Sequence, residues 1–342
     1  MSRPVLSLEK CLVRSDLKTG MQLPSSPGRK TFFVMMFALL GLFLLEAKLA
    51  LAEISVEPHP DRVTVKIDGK LFTEYLTQSG TKPVLWPVIG PMGHRMTREY
   101  PMAEAKPEER EDHIHHRSIW FTHGDVNGHD FWAERKDPAV IKHREFVKVQ
   151  GGDQAVIVTR NDWLAPDGKK VLEDERTVTF GADGESRWID FDITLKATEE
   201  SVTFGDTKEG CMGIRVAAPL KPDAKLGGLL INSKGQKNKE AWGKAAAWVD
   251  YSGKLGDDKV GVAIFNHPSS FRFPTYWHAR TYGLCSGNPF GKSYFVGKDQ
   301  DGSHTLKPGE SITLRYRFFF HKGDVREGDV AEAYQAYASR KK

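Results

Sequence analysis

Cysteine is scarce, with Cys11, Cys211 and Cys285 the only three among 342 residues. No pair follows the Cys-x-x-Cys spacing and no Cys/His spacing typical of zinc sites occurs, which excludes the common structural zinc motifs. Cys211 and Cys285 either form one disulfide, which an oxidising compartment permits, or remain two buried free thiols. The sequence leaves both alternatives open.

Several catalytic signatures are also missing. The chain has no Gly-x-Ser-x-Gly nucleophile elbow, no P-loop and no dinucleotide-binding glycine fingerprint. Function classes that depend on those motifs are therefore excluded. Any chemistry must come from another set of side chains.

Long apolar runs are limited to residues 32–45 (FFVMMFALLGLFLL), which are 14 uncharged residues. A membrane-spanning helix needs about 20. Two basic residues precede this run and Ala-Leu-Ala follows it at 50–52, which is the pattern of a secretory signal. We predict a signal peptide over residues 1–52 with an extended N-region, Met21 being an alternative start, and export to the periplasm or beyond. An uncleaved leader is the alternative, and it would be the chain's membrane contact.

A surplus of positive charge is missing from the predicted mature chain. Residues 1–52 hold seven basic and three acidic residues, so 42 of each remain in residues 53–342. Nucleic-acid-binding proteins carry a basic surplus, so nucleic acid is not an expected partner. A small-molecule or glycan ligand fits this charge balance.

The sequence is rich in period-two alternation of apolar residues, separated by turns containing Gly, Asp, Asn and Pro. The clearest segments are 187–195 (RWIDFDITL) and 312–320 (ITLRYRFFF), with shorter β-rich runs at 63–67, 155–159, 177–180 and 260–265. Such alternation is typical of strands in a sandwich or barrel. Helical spacing is clear only at 328–339. We predict an all-β fold, a large two-sheet β-sandwich with a short C-terminal helix, as one domain over residues 53–342.

Histidines are concentrated in one segment, with five of the twelve within residues 112–130. In an extended strand His113 and His115 would project to the same face, about 7 Å apart. With His123 or Asp125 nearby they would form a divalent-metal site or serve as general acid and base near neutral pH. A purely structural, hydrogen-bonded polar strip is the alternative.

A second polar segment spans residues 265–292 and combines Arg, His, Asn, Tyr and Trp with turn residues. Aromatic walls carrying a few convergent polar groups are typical of small-ligand sites. Because loops often carry function, we expect this segment to meet the histidine segment across a shared pocket. A satellite core in which Arg and His satisfy turn carbonyls is the alternative.

Residues 112–132 (DHIHHRSIWFTHGDVNGHDFW) and 265–291 (FNHPSSFRFPTYWHARTYGLCSGNPFG) resemble the PmoA-like family, a bacterial domain of unknown function often labelled "methane oxygenase PmoA". The resemblance covers nearly all of residues 54–338. It implies an exported β-sandwich similar in size and strand content to the galactose-mutarotase-like supersandwich. Methane oxidation itself does not fit the hydropathy, because the monooxygenase subunit spans the membrane several times. Mutarotase-like sites pair a His acid with a Glu base; His123 and His278 are candidate acids, and no Glu is assigned.

Together these patterns predict a carbohydrate-active enzyme, an epimerase, lyase or hydrolase that uses acid–base or metal-assisted chemistry. The predicted catalytic residues are His115, His116, His123, Asp125 and His278. The predicted substrate-binding residues are Arg117, Asn127, Trp132, His267, Trp277, Arg280, Tyr282 and Asn288.

Two other functions stay open. A noncatalytic glycan-binding module would need the aromatic and Arg side chains but not the histidines. A metal-dependent oxygenase or lyase would need a divalent metal as cofactor, with His113, His115 and His123 as its ligands.

Overall fold

A computed structural model describes residues 52–341 and shows two large antiparallel sheets. The first sheet has eight strands, in the spatial order β1-β2-β3-β4-β5-β11-β16-β15. Its strands are β1 (Ile54–Pro58), β2 (Arg62–Ile67), β3 (Lys70–Ser79), β4 (Lys82–Val88), β5 (Ile119–His123), β11 (Gly210–Arg215), β15 (Tyr276–Trp277) and β16 (Leu284–Asn288).

The second sheet also has eight strands, in the order β12-β13-β14-β18-β9-β8-β7-β6. Its strands are β6 (Val140–Gln150), β7 (Ala155–Leu164), β8 (Lys170–Ala182), β9 (Ser186–Lys196), β12 (Leu229–Asn232), β13 (Trp248–Leu255), β14 (Asp258–Asn266) and β18 (Ser311–Lys322). A separate pair consists of β10 (Val202–Phe204) and β17 (His304–Leu306).

Helical structure within the described residues is short. The α-helices are α1 (Lys292–Phe295) and α2 (Val330–Ala338), and single 3-10 turns lie at Ala218–Leu220, Pro222–Ala224 and Asn238–Ala241. Helix α2 confirms the predicted C-terminal helix, and its Val330, Tyr334 and Tyr337 pack against Phe265 and Phe319 of the second sheet. The predicted leader lies outside the described residues except for Ala52.

Alternation explains why the two sheets share one core. Strands β9 and β18 pair in register from Ser186 opposite His321 to Lys196 opposite Ser311. The apolar residues at every second position of both strands enter the main core, as the sequence predicted: Ile189, Phe191, Ile193, Leu195, Ile312, Leu314, Tyr316, Phe318 and Phe320. Burying these side chains contributes roughly 1.5–3 kcal/mol each before entropic costs. The prediction of an all-β, two-sheet architecture is confirmed.

The cysteines are buried free thiols in the described part of the chain. Strands β11 and β16 are adjacent and antiparallel, but the residue opposite Cys285 is Ile214 rather than Cys211. The structure therefore favours the free-thiol alternative over the disulfide.

Candidate functional site

A cleft of about 640 Å³ opens on the outer face of the first sheet, where β5, β11 and β16 lie side by side. The histidine segment supplies His113, His115, His116 and Trp132 to its lining, and the second polar segment supplies His278, Arg280 and Tyr282. The predicted meeting of these two segments across one pocket is thus present in the fold. The catalytic and binding roles of these residues remain predictions.

The alternation of side chains between the two faces of each strand decides which of them reach the cleft. On β5, Ile119 and Phe121 enter the core between the sheets, whereas Trp120 packs with Trp132 and Leu284 on the outer face. Because side chains alternate along a strand, every second residue of β5 points away from the cleft.

The histidines at the start of the site lie in a turn rather than in an extended strand. The His116 N–H donates to the carbonyl of His113 at 2.9 Å, and His113 has a φ of 47°. Arg98 holds this turn from beneath, because its guanidinium donates to the carbonyl of His113 at 3.1 Å and to Asp112 at 2.7 Å. The predicted strand geometry is wrong, but the turn still brings the rings of His113 and His115 within 5.7 Å.

Arg215 fixes the tautomer of His116. Its guanidinium donates to His116 Nδ1 at 3.0 Å and to Asp112 at 2.8 Å. Since arginine cannot accept a hydrogen bond, His116 Nδ1 must be the acceptor and the ring must be neutral. Burial lowers the pKa of His116 well below its usual value, and the charges of His115 and Arg215 add to this effect.

A stack of rings runs along the floor of the cleft. The His113 ring lies parallel to His116 at 4.7 Å and to Tyr282 at 5.7 Å, and His116 in turn stacks on Trp120 at 5.4 Å. Arg215 also lies over the Tyr282 ring, at 4.6 Å. The Tyr282 ring is therefore packed against both His113 and Arg215.

His278 has the opposite tautomer. Its Nδ1 lies 3.1 Å from the carbonyl of Lys208, so Nδ1 carries the proton and donates, which makes Nε2 the basic nitrogen. Burial lowers the pKa of His278 to about 4, and the positive charge of Arg280 adds to this effect. His278 is therefore neutral at neutral pH and accepts a proton or a hydrogen bond through Nε2.

The loop before β11 supplies residues that the sequence analysis missed. Thr207, Lys208 and Glu209 all line the cleft. The Glu209 carboxylate accepts from the Thr207 hydroxyl at 2.8 Å and pairs with Lys208 at 2.6 Å. Burial raises the pKa of Glu209, but these partners outweigh it and lower the pKa overall, so Glu209 is a carboxylate beside His278. Nothing local in the sequence marks this loop; only its position between β10 and β11 brings it here.

Arg117 does not line the cleft as predicted. It donates through two nitrogens to Glu134, each at 2.7 Å, and Glu134 also accepts from the fully buried Lys82 at 3.1 Å. Burial lowers the pKa of Lys82 to about 8. Burial likewise lowers the pKa of His115 to about 4, with the charge of Lys82 adding to the effect. Arg117 thus belongs to a charge cluster behind His115.

Three predicted site residues are buried and do not line the cleft. His123 shares the inward face of β5 with Phe121, donates from Nε2 to the carbonyl of Gly205 at 2.9 Å, and packs on Phe290 at 5.0 Å. Trp277 lies in the main core, and its Nε1–H donates to the carbonyl of Ala246 at 2.8 Å. Asn288 is fully buried and donates to the carbonyl of Thr207 at 2.8 Å, so it holds the cleft loop in place.

Three more predicted residues have local structural contacts outside the cleft. Asp125 accepts from the N–H of Gly128 at 2.9 Å. Asn127 bridges to the backbone at Ser201 and Thr203. His267 follows β14 of the second sheet, where its ring contacts Ser269 and the carbonyl of Arg340. Their predicted roles in substrate handling are not supported by this placement.

The buried His123 predicts a specific loss of stability in acid. Its pKa would be 6.5 unperturbed, and burial lowers it to about 4 in the native protein. Between these values the unfolded chain binds a proton that the native state does not, so stability falls as the pH falls from 6.5 towards 4. One such residue contributes roughly 3 kcal/mol across that window. We expect His123→Leu to lose less unfolding free energy between neutral pH and about pH 4.5 than the wild type, as measured by urea denaturation.

The matched control is His59→Leu, because His59 is exposed. It measures the effect of removing an imidazole from an exposed position, so a difference between the two variants reports the burial of His123. An unchanged pH dependence in His123→Leu would mean that other buried histidines account for the acid sensitivity.

The predicted metal-ligand trio does not assemble. His113 and His115 border the cleft, but His123 points into the core. Across residues 52–341, no group of three or more His, Cys, Asp or Glu side chains has an arrangement that would hold a metal ion.

Comparison with known families identifies the chain at the level of family. A family model for proteins of unknown function matches residues 62–335. The chain belongs to that family, DUF6807. The resemblance to the PmoA-like family is therefore wrong: the two histidine- and aromatic-rich segments lie within a DUF6807 chain.

No curated protein matches this DUF6807 chain. Solved structures similar to it include a galactose mutarotase related enzyme from Lactobacillus acidophilus (10% identity, TM-score 0.35, 78% of this chain and 97% of that one). A galactose mutarotase-like protein from Clostridium acetobutylicum gives 11% identity and a TM-score of 0.33, over 79% of this chain and 98% of that one. The GH36 alpha-galactosidase AgaA from Geobacillus stearothermophilus gives 9% identity and a TM-score of 0.36, over 80% of this chain and 41% of that one. At these TM-scores the likenesses carry no inference about activity.

A helix that crosses a bilayer needs about 20 predominantly apolar residues. Within residues 52–341, none of the helices is long and apolar enough to cross a membrane.

Proposed function

We propose that this protein is a carbohydrate-active enzyme that acts by acid–base chemistry in the cleft of the first sheet. The observation that carries the proposal is that one cleft contains both a neutral imidazole, at His278, and a phenol, at Tyr282. The hydrogen bond to the Lys208 carbonyl leaves His278 Nε2 as the proton acceptor. Burial raises the pKa of Tyr282, so the phenol stays protonated at neutral pH and serves as the proton donor.

The electrostatics around Tyr282 favour this division of roles. Arg215 lies over the Tyr282 ring at 4.6 Å and Arg280 at 5.4 Å. Both guanidinium groups lower the pKa of Tyr282 against the effect of burial, and they would stabilise the phenolate formed when the proton is transferred. A positioned acid and base of this kind contribute roughly 100- to 10,000-fold to a rate.

The size and lining of the cleft suit a sugar. Its volume of about 640 Å³ falls within the range of small-molecule sites. Glu209 and Lys208 offer one acceptor and one donor for hydroxyl groups, and Trp132 adds an apolar side chain to the lining. Trp277 is excluded from stacking on a sugar because it lies in the core. Export through residues 1–52 is part of the same proposal, since it would place the enzyme where extracellular glycans occur.

The proposal predicts turnover that does not depend on a metal. We expect the purified protein to convert at least one member of a panel of aldoses, keto-sugars and oligosaccharides, with products followed by NMR and mass spectrometry. Because His278 and Tyr282 supply the proton transfers, the rate should be unchanged by EDTA.

The same panel separates the two alternatives. A rate lost in EDTA and restored by a divalent cation would favour the metal-dependent oxygenase or lyase. Saturable binding of a glycan without any product would favour the noncatalytic glycan-binding module. Either outcome would contradict the proposal that the protein is an enzyme acting by acid–base chemistry.

A further inference from the structure

Arg280 lies on the boundary between two depressions. Its side chain lines the large cleft and also a neighbouring hollow of about 250 Å³ whose other lining residues are Lys239, Trp242, Ala279 and Thr281. Among residues 52–341, none of those that line this hollow is acidic. A ligand longer than one sugar ring would leave the cleft across Arg280 and continue along the indole of Trp242.

Arg280 differs from the other cations of the cleft in having no carboxylate partner. Lys208 pairs with Glu209 at 2.6 Å, and Arg135 pairs with Asp130 at 3.3 Å. The Arg280 guanidinium lies over the Tyr282 ring at 5.4 Å, and within the described part of the chain no ion pair joins it to a carboxylate. A guanidinium at the edge of a cleft without a carboxylate partner is available to form a charge-assisted hydrogen bond with an anionic ligand.

The backbone holds Arg280 in a fixed position. Its N–H donates to the carbonyl of Leu284 at 2.8 Å, and its carbonyl accepts from the N–H of Gly283 at 3.0 Å. Gly283 has a φ of 94°, which a residue with a side chain rarely adopts, so this tight turn requires glycine. The hydroxyl of the buried Tyr251 bonds to the carbonyls of both Arg280 and Leu284, at 2.9 Å each. Because the backbone is already fixed, only side-chain entropy is lost when the guanidinium binds an anion.

We propose that the ligand is an acidic oligosaccharide, one of whose rings carries a carboxylate or sulfate that pairs with Arg280. This inference rests on the proposed function and specifies its substrate class. The reacting ring occupies the cleft with His278 and Tyr282, and the chain extends over Arg280 towards Trp242 and Lys239. The planar fork of arginine matches a carboxylate with two parallel hydrogen bonds, so uronate rings are the expected acidic units.

Calorimetric titration of the purified full chain tests this proposal. The probes are tetrasaccharides of galacturonate, glucuronate and mannuronate, each with its methyl-esterified, uncharged counterpart, and a sulfated galactan tetrasaccharide. At least one acidic tetrasaccharide should bind roughly tenfold or more tightly than its uncharged counterpart, because a charged hydrogen-bonded pair is lost on esterification. Arg280→Gln should remove that difference, because it weakens binding of the acidic tetrasaccharide far more than binding of the ester.

The control variant is Arg326→Gln, which removes the same charge from an exposed position before α2. It should keep the preference for the acidic ligand. Binding of the sulfated galactan alone would identify sulfate rather than carboxylate as the anion. The inference is overturned if no acidic probe binds better than a neutral one, or if Arg280→Gln weakens both equally.

The two proposals fail in different ways. If a neutral sugar is turned over and the turnover depends on His278, the result supports the proposed function and contradicts the inference of an acidic substrate. The Trp242→Ala variant tests whether the ligand extends beyond one sugar ring. It should weaken the binding of a tetrasaccharide roughly tenfold, as expected for a lost aromatic contact, and leave the binding of a monosaccharide unchanged. Because the Trp242 ring also packs on Phe295 at 5.7 Å, Trp242→Phe serves as the folded reference and should retain much of the affinity.

Discussion

Replacing His278 with alanine should lower kcat roughly 100-fold or more on the substrate that the panel identifies, the range that a positioned general base contributes. The ring lies on the outer face of the first sheet, and its Nε2 is the basic nitrogen of the cleft. His278→Gln keeps the volume and a hydrogen-bonding group but cannot take up a proton near neutral pH. It should lose kcat equally while KM changes little.

The control for this prediction is His59→Ala, whose exposed side chain lies outside the cleft. Thermal unfolding of all three variants separates the possible roles. If the melting temperature of His278→Gln falls together with kcat, the ring is structural. If kcat is unchanged in both His278 variants, the base is another residue and the proposed mechanism is wrong.

The pH profile gives an independent readout of the same residue. Burial lowers the pKa of His278 to about 4, so it becomes protonated, and unable to accept a proton, only near that pH. We therefore expect kcat/KM to stay level through pH 6.5, the usual pKa of histidine, and to fall near pH 4. A fall centred at 6.5 would mean that the base is a residue other than His278.

Much of the fold follows from local patterns in the sequence. The alternation in β9 and β18 identified core-facing residues such as Phe191 and Phe318 correctly, because these central strands are long and have one face in the core. The helical spacing near the C-terminus likewise located α2. Strand order could not be predicted, since β5 pairs with β11 some 90 residues later in the chain.

The site was predicted only in part, and the errors have identifiable causes. His123 and Trp277 were assigned by their residue type, although the alternation of Ile119 and Phe121 already placed His123 on the core face of β5. Glu209 was missed because its loop reaches the cleft only through the pairing of β11 between β5 and β16. Residue composition thus indicated which segments form the site. Which side chains face it depends on the alternation of side chains along each strand and on the pairing of strands that are distant in the sequence.

No local sequence pattern indicates that Asp112 is important. Its Oδ1 accepts from Arg98 at 2.7 Å and from Arg215 at 2.8 Å, and these two arginine side chains are only 3% and 2% exposed. Burial raises the pKa of Asp112, but Arg215 and His113 outweigh it and lower the pKa overall, so the carboxylate is charged at neutral pH. One carboxylate therefore neutralises two buried cations beneath the histidine turn.

Replacing Asp112 with alanine should destabilise the protein by roughly 3 kcal/mol, because removing one partner of a buried ion pair leaves an uncompensated charge. Urea denaturation at neutral pH measures this loss. Asp61→Ala, which removes an exposed carboxylate paired with Arg62, should cost no more than about 0.5 kcal/mol.

The decisive comparison is the double variant Asp112→Ala with Arg215→Met. If the cost arises from the stranded charge of Arg215, removing that charge should make the double variant more stable than Asp112→Ala alone, since effects of contacting residues are not additive. Arg98 keeps hydrogen bonds to the carbonyls of Tyr100 and Arg110, at 2.9 Å each, so its charge is still partly compensated. A double variant whose loss equals the sum of the two single losses would show that Asp112 acts through the packing of the turn and not through charge.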